Sequence, residues 1–239
     1  MAKRWRRQSA MRCRVFTERP SAPSPAVLAE LAGLELLWLA DAIGFGLVDR
    51  QIRPVFEPVP RLVGIAVTVR TAPGDFKVVP WAVDLLGPGD VLVIDGGGDD
   101  KRAIWGDFVS SRAKTVGCVG VVVDGAVRDI DGLADIGLPV FSRWTTPRGP
   151  ARSGPGDVNV PISCGGVSVL PGDLVVADGA GIVVISRGDI GSALEMSRAK
   201  VAVEIGMRSR ETRDDWVGYL ARIGESSGAP DICRRRWDD

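Results

Sequence analysis

A chain of 239 residues is long enough for one domain with a full hydrophobic core. Thirty basic side chains balance thirty acidic ones, so no overall positive charge gathers nucleic acid, and a general nucleic-acid-binding role is disfavoured. The chain contains no histidine, which excludes Ser-His-Asp and Cys-His catalysis and histidine-ligated metal sites; a metal would have to sit among oxygens, as Mg2+ or Mn2+ does.

Residues 1–23 carry Lys3, Arg4, Arg6, Arg7, Arg12, Arg14 and Arg19 without an apolar core. They read as a solvated, disordered basic arm and not as a secretory signal. The globular domain is expected over residues 24–210, followed by a polar extension over 211–239. Ser24-Pro25 supplies an N-cap and a proline at the first helical position. The spacing predicts a helix from there to Ile43, ended by Gly44 and Gly46. A buried strand is predicted over 61–70 and a short helix over 78–86.

A small repeat follows. Pro88-Gly89-Asp90-Val91-Leu92-Val93-Ile94-Asp95-Gly96 matches Pro171-Gly172-Asp173-Leu174-Val175-Val176-Ala177-Asp178-Gly179. Each copy is a Pro-Gly turn feeding an apolar strand, which predicts two equivalent strands in a β-rich core. A helix is predicted over 102–116, a strand over 119–123, a helix over 128–136 and a strand over 139–141. Residues 158–185 read as β-rich, and 187–210 as a closing helix. No apolar run reaches the roughly 18 residues of a membrane span. Cys13, Cys118, Cys164 and Cys233 form no C-x-x-C pair and read as free thiols of a cytoplasmic protein.

Two segments could carry chemistry. Gly96-Gly97-Gly98 is neither a dinucleotide fingerprint nor a P-loop. It reads either as a tight turn or as a cradle of backbone N–H groups for a small anion, aided by a helix starting near Arg102. Asp124-Gly125-Ala126-Val127-Arg128-Asp129 follows a strand, where α/β proteins often place functional residues. The plainer alternative makes Asp129 an N-cap and Arg128 a surface cation.

Ala103-Ile104-Trp105-Gly106-Asp107, the run Gly117 to Asp129, Leu138-Pro139-Val140-Phe141, Pro147-Arg148-Gly149-Pro150 and Pro155-Gly156-Asp157-Val158-Asn159-Val160-Pro161-Ile162 stand in one order. Together they resemble the signature of the RraA-like family. The resemblance implies an α/β fold, a β/β/α layered domain of the swivelling type. It implies a divalent-metal-dependent aldolase (a lyase) releasing pyruvate from a 4-hydroxy-2-oxo dicarboxylic acid, with oxaloacetate decarboxylation as a side activity. The family also contains non-catalytic regulators that bind ribonuclease E, and this is the alternative function.

Carried over by position, Asp129 would hold Mg2+ or Mn2+, Asp107 would order water beside it, and Arg128 would grip the 2-oxo acid. Gly106 and the backbone N–H groups of Phe108 and Val109 would meet the substrate carboxylate. Glu204 would reach the metal site of a neighbouring subunit in a homotrimer or homohexamer. The implied partner is a small 2-oxo acid, with neither nucleic acid nor membrane. The chain departs from the family pattern at Gly74-Asp75-Phe76, where an Asn often follows the Asp, and at Asp178-Gly179-Ala180-Gly181, which is often more acidic.

Overall fold

A computed structural model describes residues 13–208, 217–222 and 225. In chain order the elements are β1 (Arg14–Val15), α1 (Pro25–Gly33), α2 (Leu36–Ile43), β2 (Arg53–Pro54), β3 (Leu62–Thr71), α3 (Val79–Asp84), β4 (Asp90–Asp95), β5 (Ala103–Trp105) and α4 (Asp107–Thr115). There follow β6 (Gly120–Val127), α5 (Ile130–Ile136), β7 (Val140–Thr145), β8 (Gly156–Val158), β9 (Ile162–Cys164), β10 (Val167–Val169), β11 (Leu174–Asp178), β12 (Gly181–Ile185) and α6 (Ile190–Arg208). The chain divides into two compact units, residues 1–197 and 198–239, and the division falls inside α6.

In the first unit, a central path β1-β8-β3-β4-β6-β7-β2 forms the main sheet, with β5 on β6 and the β11–β12 hairpin on β3. Strand alternation sorts the side chains onto two faces. Leu92, Ile94, Val121 and Val123 pack with α3, α4 and α5. Val91, Val93 and Val122 face the other way, toward the β9–β10 hairpin. Hairpin, sheet and helices give the β/β/α layering expected of an α/β fold. A third cluster seats Leu31, Leu36, Leu39 and Leu194 on β11 and β12.

The two repeat copies both dock on β3, from opposite sides and in opposite directions. β4 pairs with it in parallel and β11 antiparallel, and both registers include Ile65. The turns use one device: the Asp90 and Asp173 carboxylates accept the Gly87 and Leu170 N–H groups at 2.7 and 2.8 Å. The aspartates are therefore turn locks, which explains their place after Pro-Gly.

Several expectations need correction. The helix predicted over 24–43 breaks in two, because Leu34 and Glu35 are extended. Gly33 weakens the helix there, and the Leu34 carbonyl is taken by the Arg61 guanidinium. Residues 103–105 are a strand and not the start of a helix; Ile104 and Trp105 are buried against β6. The Gly96-Gly97-Gly98 anion cradle does not form, since Gly96 and Gly98 donate to the Asp124 carbonyl and Gly97 to the Asp95 carboxylate.

The expected disordered arm also yields a strand, since β1 pairs in parallel with β8. Arg14 donates two hydrogen bonds to Asp157, at 2.9 and 2.8 Å, and Arg70 donates a third at 2.7 Å. Residues 1–12, Glu211, Cys233 and the Arg234-Arg235-Arg236 tail lie outside the described residues. Cys118 and Cys164 are buried free thiols, and burial pushes Cys118 up to about 11. Among the described residues no helix is long and apolar enough to cross a membrane.

Asp75 ties two loops together. Its carboxylate accepts the N–H groups of Lys77, Ser153 and Gly154 at 2.8, 2.8 and 2.7 Å. Burial acts to raise the Asp75 carboxyl, but these donors and the nearby Lys77 charge outweigh it and hold the group low. The Asp157 carboxyl is held low by its hydrogen bond to Arg14, against burial and with Arg70 helping. Both carboxylates therefore contribute full stability above their ordinary pKa of about 4, and lose it as pH falls through the lower folded values. Asp75→Ala should cost about 1–2 kcal/mol in urea unfolding at pH 7, because it takes the shared acceptor from three half-buried backbone donors. It should also shrink the loss of stability between pH 5 and acid. Equal urea midpoints for variant and wild type would remove this account of the loops.

Candidate active site

β5 and β6 run parallel with Trp105 opposite Val127, and the Arg128 N–H donates to the Trp105 carbonyl at 3.1 Å. Gly106-Asp107 and Arg128-Asp129 therefore leave the sheet side by side. The carboxyl ends of parallel strands are the usual binding edge of an α/β sheet. The twenty residues between Asp107 and Arg128 are what α4 and a return along β6 require. β6 runs on to Val127, four residues beyond the strand expected from sequence, which brings the two residues that follow to this edge.

A cleft of about 590 Å³ opens here, and every site residue expected in the first unit lines it: Gly106, Asp107, Phe108, Val109, Arg128 and Asp129. Glu204 lies on the part of α6 in the second unit. The sequence reading missed Phe76, Lys77, Pro80, Pro150 and Arg152, which also line the cleft. Pro80 stands in the first turn of α3, and the others come from the two loops that Asp75 ties. The signal for them in the sequence is the Gly74-Asp75 turn itself.

Asp129 stands at the N-cap position of α5 but does not cap it with its side chain. Its backbone is left-handed, at φ 60° and ψ 46°, a costly conformation for a residue other than glycine. Its carboxylate lies 3.2 Å from Arg128 Nε, and the two side chains are 36% and 45% exposed. The plain N-cap reading therefore does not hold. The helix expected over 128–136 starts at Ile130, which leaves Arg128 and Asp129 free to face the cleft.

Close packing sets these groups. A Cβ on Gly106 would stand 2.7 Å from Asp129 Oδ2 and 3.3 Å from Arg128 Cγ. One on Gly149 would stand 3.3 Å from the terminal guanidinium nitrogen of Arg128, and one on Gly132 3.0 Å from Asp107 Oδ2. The buried Trp105 donates from its indole to Ser110 Oγ at 2.6 Å, which fixes the strand just before Gly106. Asp107 opens α4, where an acidic group meets the positive end of the helix dipole. The Phe108 N–H donates to Asp107 Oδ1 at 2.5 Å, so a substrate carboxylate would have to compete with Asp107 for that donor.

Among the described residues no three acidic or thiol side chains gather in a cluster. The charged oxygens of the cleft are those of Asp107 and Asp129, facing Lys77, Arg128 and Arg152. This arrangement can hold an anion beside a hard cation.

The model of the RraA-like family, described as Aldolase/RraA, matches residues 38–184. A protein of Halalkalibacterium halodurans, provisionally named 4-hydroxy-4-methyl-2-oxoglutarate aldolase, is 45% identical over 186 residues, covering 77% of this chain and 88% of that protein. A solved structure from Pseudomonas syringae is 30% identical with a TM-score of 0.70, covering 80% of this chain and 92% of that one. The RNA-processing inhibitor RraA of Thermus thermophilis is 32% identical with a TM-score of 0.58, covering 63% and 92%. A Streptomyces coelicolor protein, described as an unusual member of the RNase ES inhibitor RraA family, is 27% identical with a TM-score of 0.70, covering 79% and 99%.

Proposed function

The chain belongs to the RraA-like family, and from that premise we propose that its cleft cleaves a 4-hydroxy-2-oxo dicarboxylic acid to pyruvate, with oxaloacetate decarboxylation as a side activity. The observation that carries this reading is the meeting of Asp107, Arg128 and Asp129 in one cleft, at the ends of adjacent parallel strands.

The donor set suits a small hard cation. Asp129 offers a carboxylate not spent on capping its helix, and Mg2+ commonly binds through one or two carboxylates while keeping several waters. Asp129 would hold Mg2+ or Mn2+, and Asp107 would order water next to it. Such an ion would supply Lewis-acid charge opposite the 2-oxo group. Arg128 then binds the pyruvyl carboxylate through its guanidinium fork. Asp107, through an ordered water, takes the proton of the 4-hydroxyl. As the C3–C4 bond breaks, that oxygen becomes a carbonyl and C3 of the pyruvate enolate regains a proton. Lys77 is solvent-exposed, without the desolvation that a Schiff-base lysine needs, so imine chemistry is disfavoured.

Assembly as a homotrimer or homohexamer, with Glu204 serving a neighbouring copy, belongs to the same proposal. The test couples pyruvate to lactate dehydrogenase and follows NADH loss with and without Mg2+. A regulatory reading is favoured by the two neighbours described as inhibitors of RNA processing or of RNase ES. It replaces the aldolase reading if neither a 4-hydroxy-2-oxo dicarboxylate nor oxaloacetate yields pyruvate above the metal blank while ribonuclease E activity falls on adding the protein.

Gly106→Ala tests how the pair is set. The Gly106 backbone is extended and open to any residue, so the added methyl acts only by pushing Asp129 and Arg128 aside. Turnover should fall by about 10²-fold, the effect of a misplacement near 1 Å, while the thermal midpoint moves little. Unchanged turnover would show that the close approach is not used.

A further inference from the structure

Resting on the aldolase reading, we propose that Asp124 and Arg143 are positioning residues, whose buried pair holds a bulge in β6 and thereby aims Arg128 and Asp129 into the cleft. Up to Asp124, β6 lies on β4, with Asp95 opposite Asp124. From Ala126 it lies on β5, with Ala103 opposite Ala126 and Trp105 opposite Val127. The strand therefore changes partner over Asp124-Gly125. On its other side Val123 pairs with Ser142 and Ala126 with Trp144, so two residues of β6 stand against one of β7, and that one is Arg143. An extra residue of this kind bends a strand and re-aims what comes after it, and it is uncommon between parallel strands. What comes after it here is Ala126-Val127 and then Arg128-Asp129.

The bulge is pinned from three sides. One oxygen of the Asp124 carboxylate accepts the Arg143 Nε–H at 2.7 Å, and the other accepts the Gly165 N–H at 2.7 Å. The Asp124 carbonyl accepts the Gly96 and Gly98 N–H groups at 3.0 and 3.1 Å. The turn after β4, the strand β7 and the turn between β9 and β10 thus close on one residue. Arg143 Nη1 donates onward to Asp49 Oδ2 and Gln51 Oε1 at 2.8 and 2.6 Å, which ties the guanidinium to the segment before β2. The Asp124 and Arg143 side chains are only 13% and 12% exposed. A buried ion pair is costly to desolvate and a weak source of net stability, so its value here lies in fixing one arrangement of the strand. Neither residue lines the cleft, so an effect on turnover has to pass along β6.

The test reads amide hydrogen exchange by mass spectrometry and pyruvate release, both in full-length protein with Mg2+. The Arg128 and Thr146 N–H groups donate to the Trp105 and Val127 carbonyls, beyond the bulge. In Arg143→Met, which removes the donor, these amides should exchange about tenfold faster while residues 120–123 stay as in wild type. In the same variant kcat/KM for 4-hydroxy-4-methyl-2-oxoglutarate should fall by about tenfold or more, since a misplacement near 1 Å can cost about 10²-fold. Arg143→Gln should recover both readings, because its amide N–H falls where Nε stood; a pair acting through its charge alone is not rescued by a neutral amide. If Arg143→Met does not fold, Asp124→Asn takes its place with the same expected pattern, since it keeps an acceptor for Gly165 and turns an N–H against the guanidinium. Unchanged exchange beyond the bulge, equally faster exchange in residues 120–123, no recovery in Arg143→Gln, or wild-type turnover in a loosened variant each overturns the proposal. If wild type releases no pyruvate, the aldolase reading fails by itself. The exchange pattern then decides the pin: faster exchange confined to the residues beyond the bulge supports it, and any other pattern overturns it.

Discussion

Arg128→Ala should lower pyruvate release by at least about 10²-fold, and Arg128→Lys should not restore it. The side chain leaves the end of β6 beside Gly106, with its Nε against Asp129 and a terminal nitrogen close to Gly149. Its remaining N–H groups form a planar fork, which matches a carboxylate at two points where an ammonium offers one. Removing a preorganised donor of this kind typically costs about 2.7 to 4 kcal/mol of transition-state stabilisation. Because Arg128 is half exposed and covers little of the core, the folded state should survive the change. The measurement is steady-state pyruvate formation, with a thermal melt as the folding control. Wild-type turnover in Arg128→Ala would sink the proposed chemistry.

Chelation should have an effect at least as large. EDTA is expected to abolish turnover, and excess Mg2+ or Mn2+ to restore it in wild type but not in Asp129→Ala. The cleft has no histidine or thiol, and its acidic groups are Asp107 and Asp129. Removing Asp129 takes away the cleft carboxylate proposed to bind the ion directly, and Asp107 would still only order water beside it. The same substitution replaces a residue held in a left-handed conformation at φ 60°, so its effect on stability has to be read separately. Asp129→Asn serves as the second variant, since Asn tolerates that backbone and keeps one oxygen while losing the charge. It should bind Mg2+ more weakly in calorimetry even if it folds as wild type does. Full activity in excess chelator would rule out the metal.

The apolar runs Val91 to Ile94 and Val121 to Val123, the Pro-Gly-Asp turns and the Ser24-Pro25 cap were legible because each depends on near neighbours in the chain. Asp107 and Arg128-Asp129 were legible as a set only through the family resemblance, and the length of α4 with the return along β6 accounts for their spacing. Absence of histidine limited the chemistry before any coordinate was known.

What the linear pattern could not carry was pairing across distance. Residues 102–105 show a spacing that suits a helix, yet parallel pairing with β6 buries Ile104 and Trp105 more fully than a first helical turn could. Gly96-Gly97-Gly98 suggested donors for an anion, but Asp95 and the Asp124 carbonyl take those donors once β4 and β6 lie side by side. Lys77 and Arg152 stand 75 positions apart and share a wall because Asp75, buried between their loops, satisfies backbone donors from both. Sequence by itself determined the apolar strands, the turns and the limits on the chemistry, and the family resemblance added the layers and the three charged groups at the strand ends. Tertiary structure decided which donors are already taken and which charged side chains meet in one cleft, because hydrogen bonds and charges are satisfied through space and not along the chain.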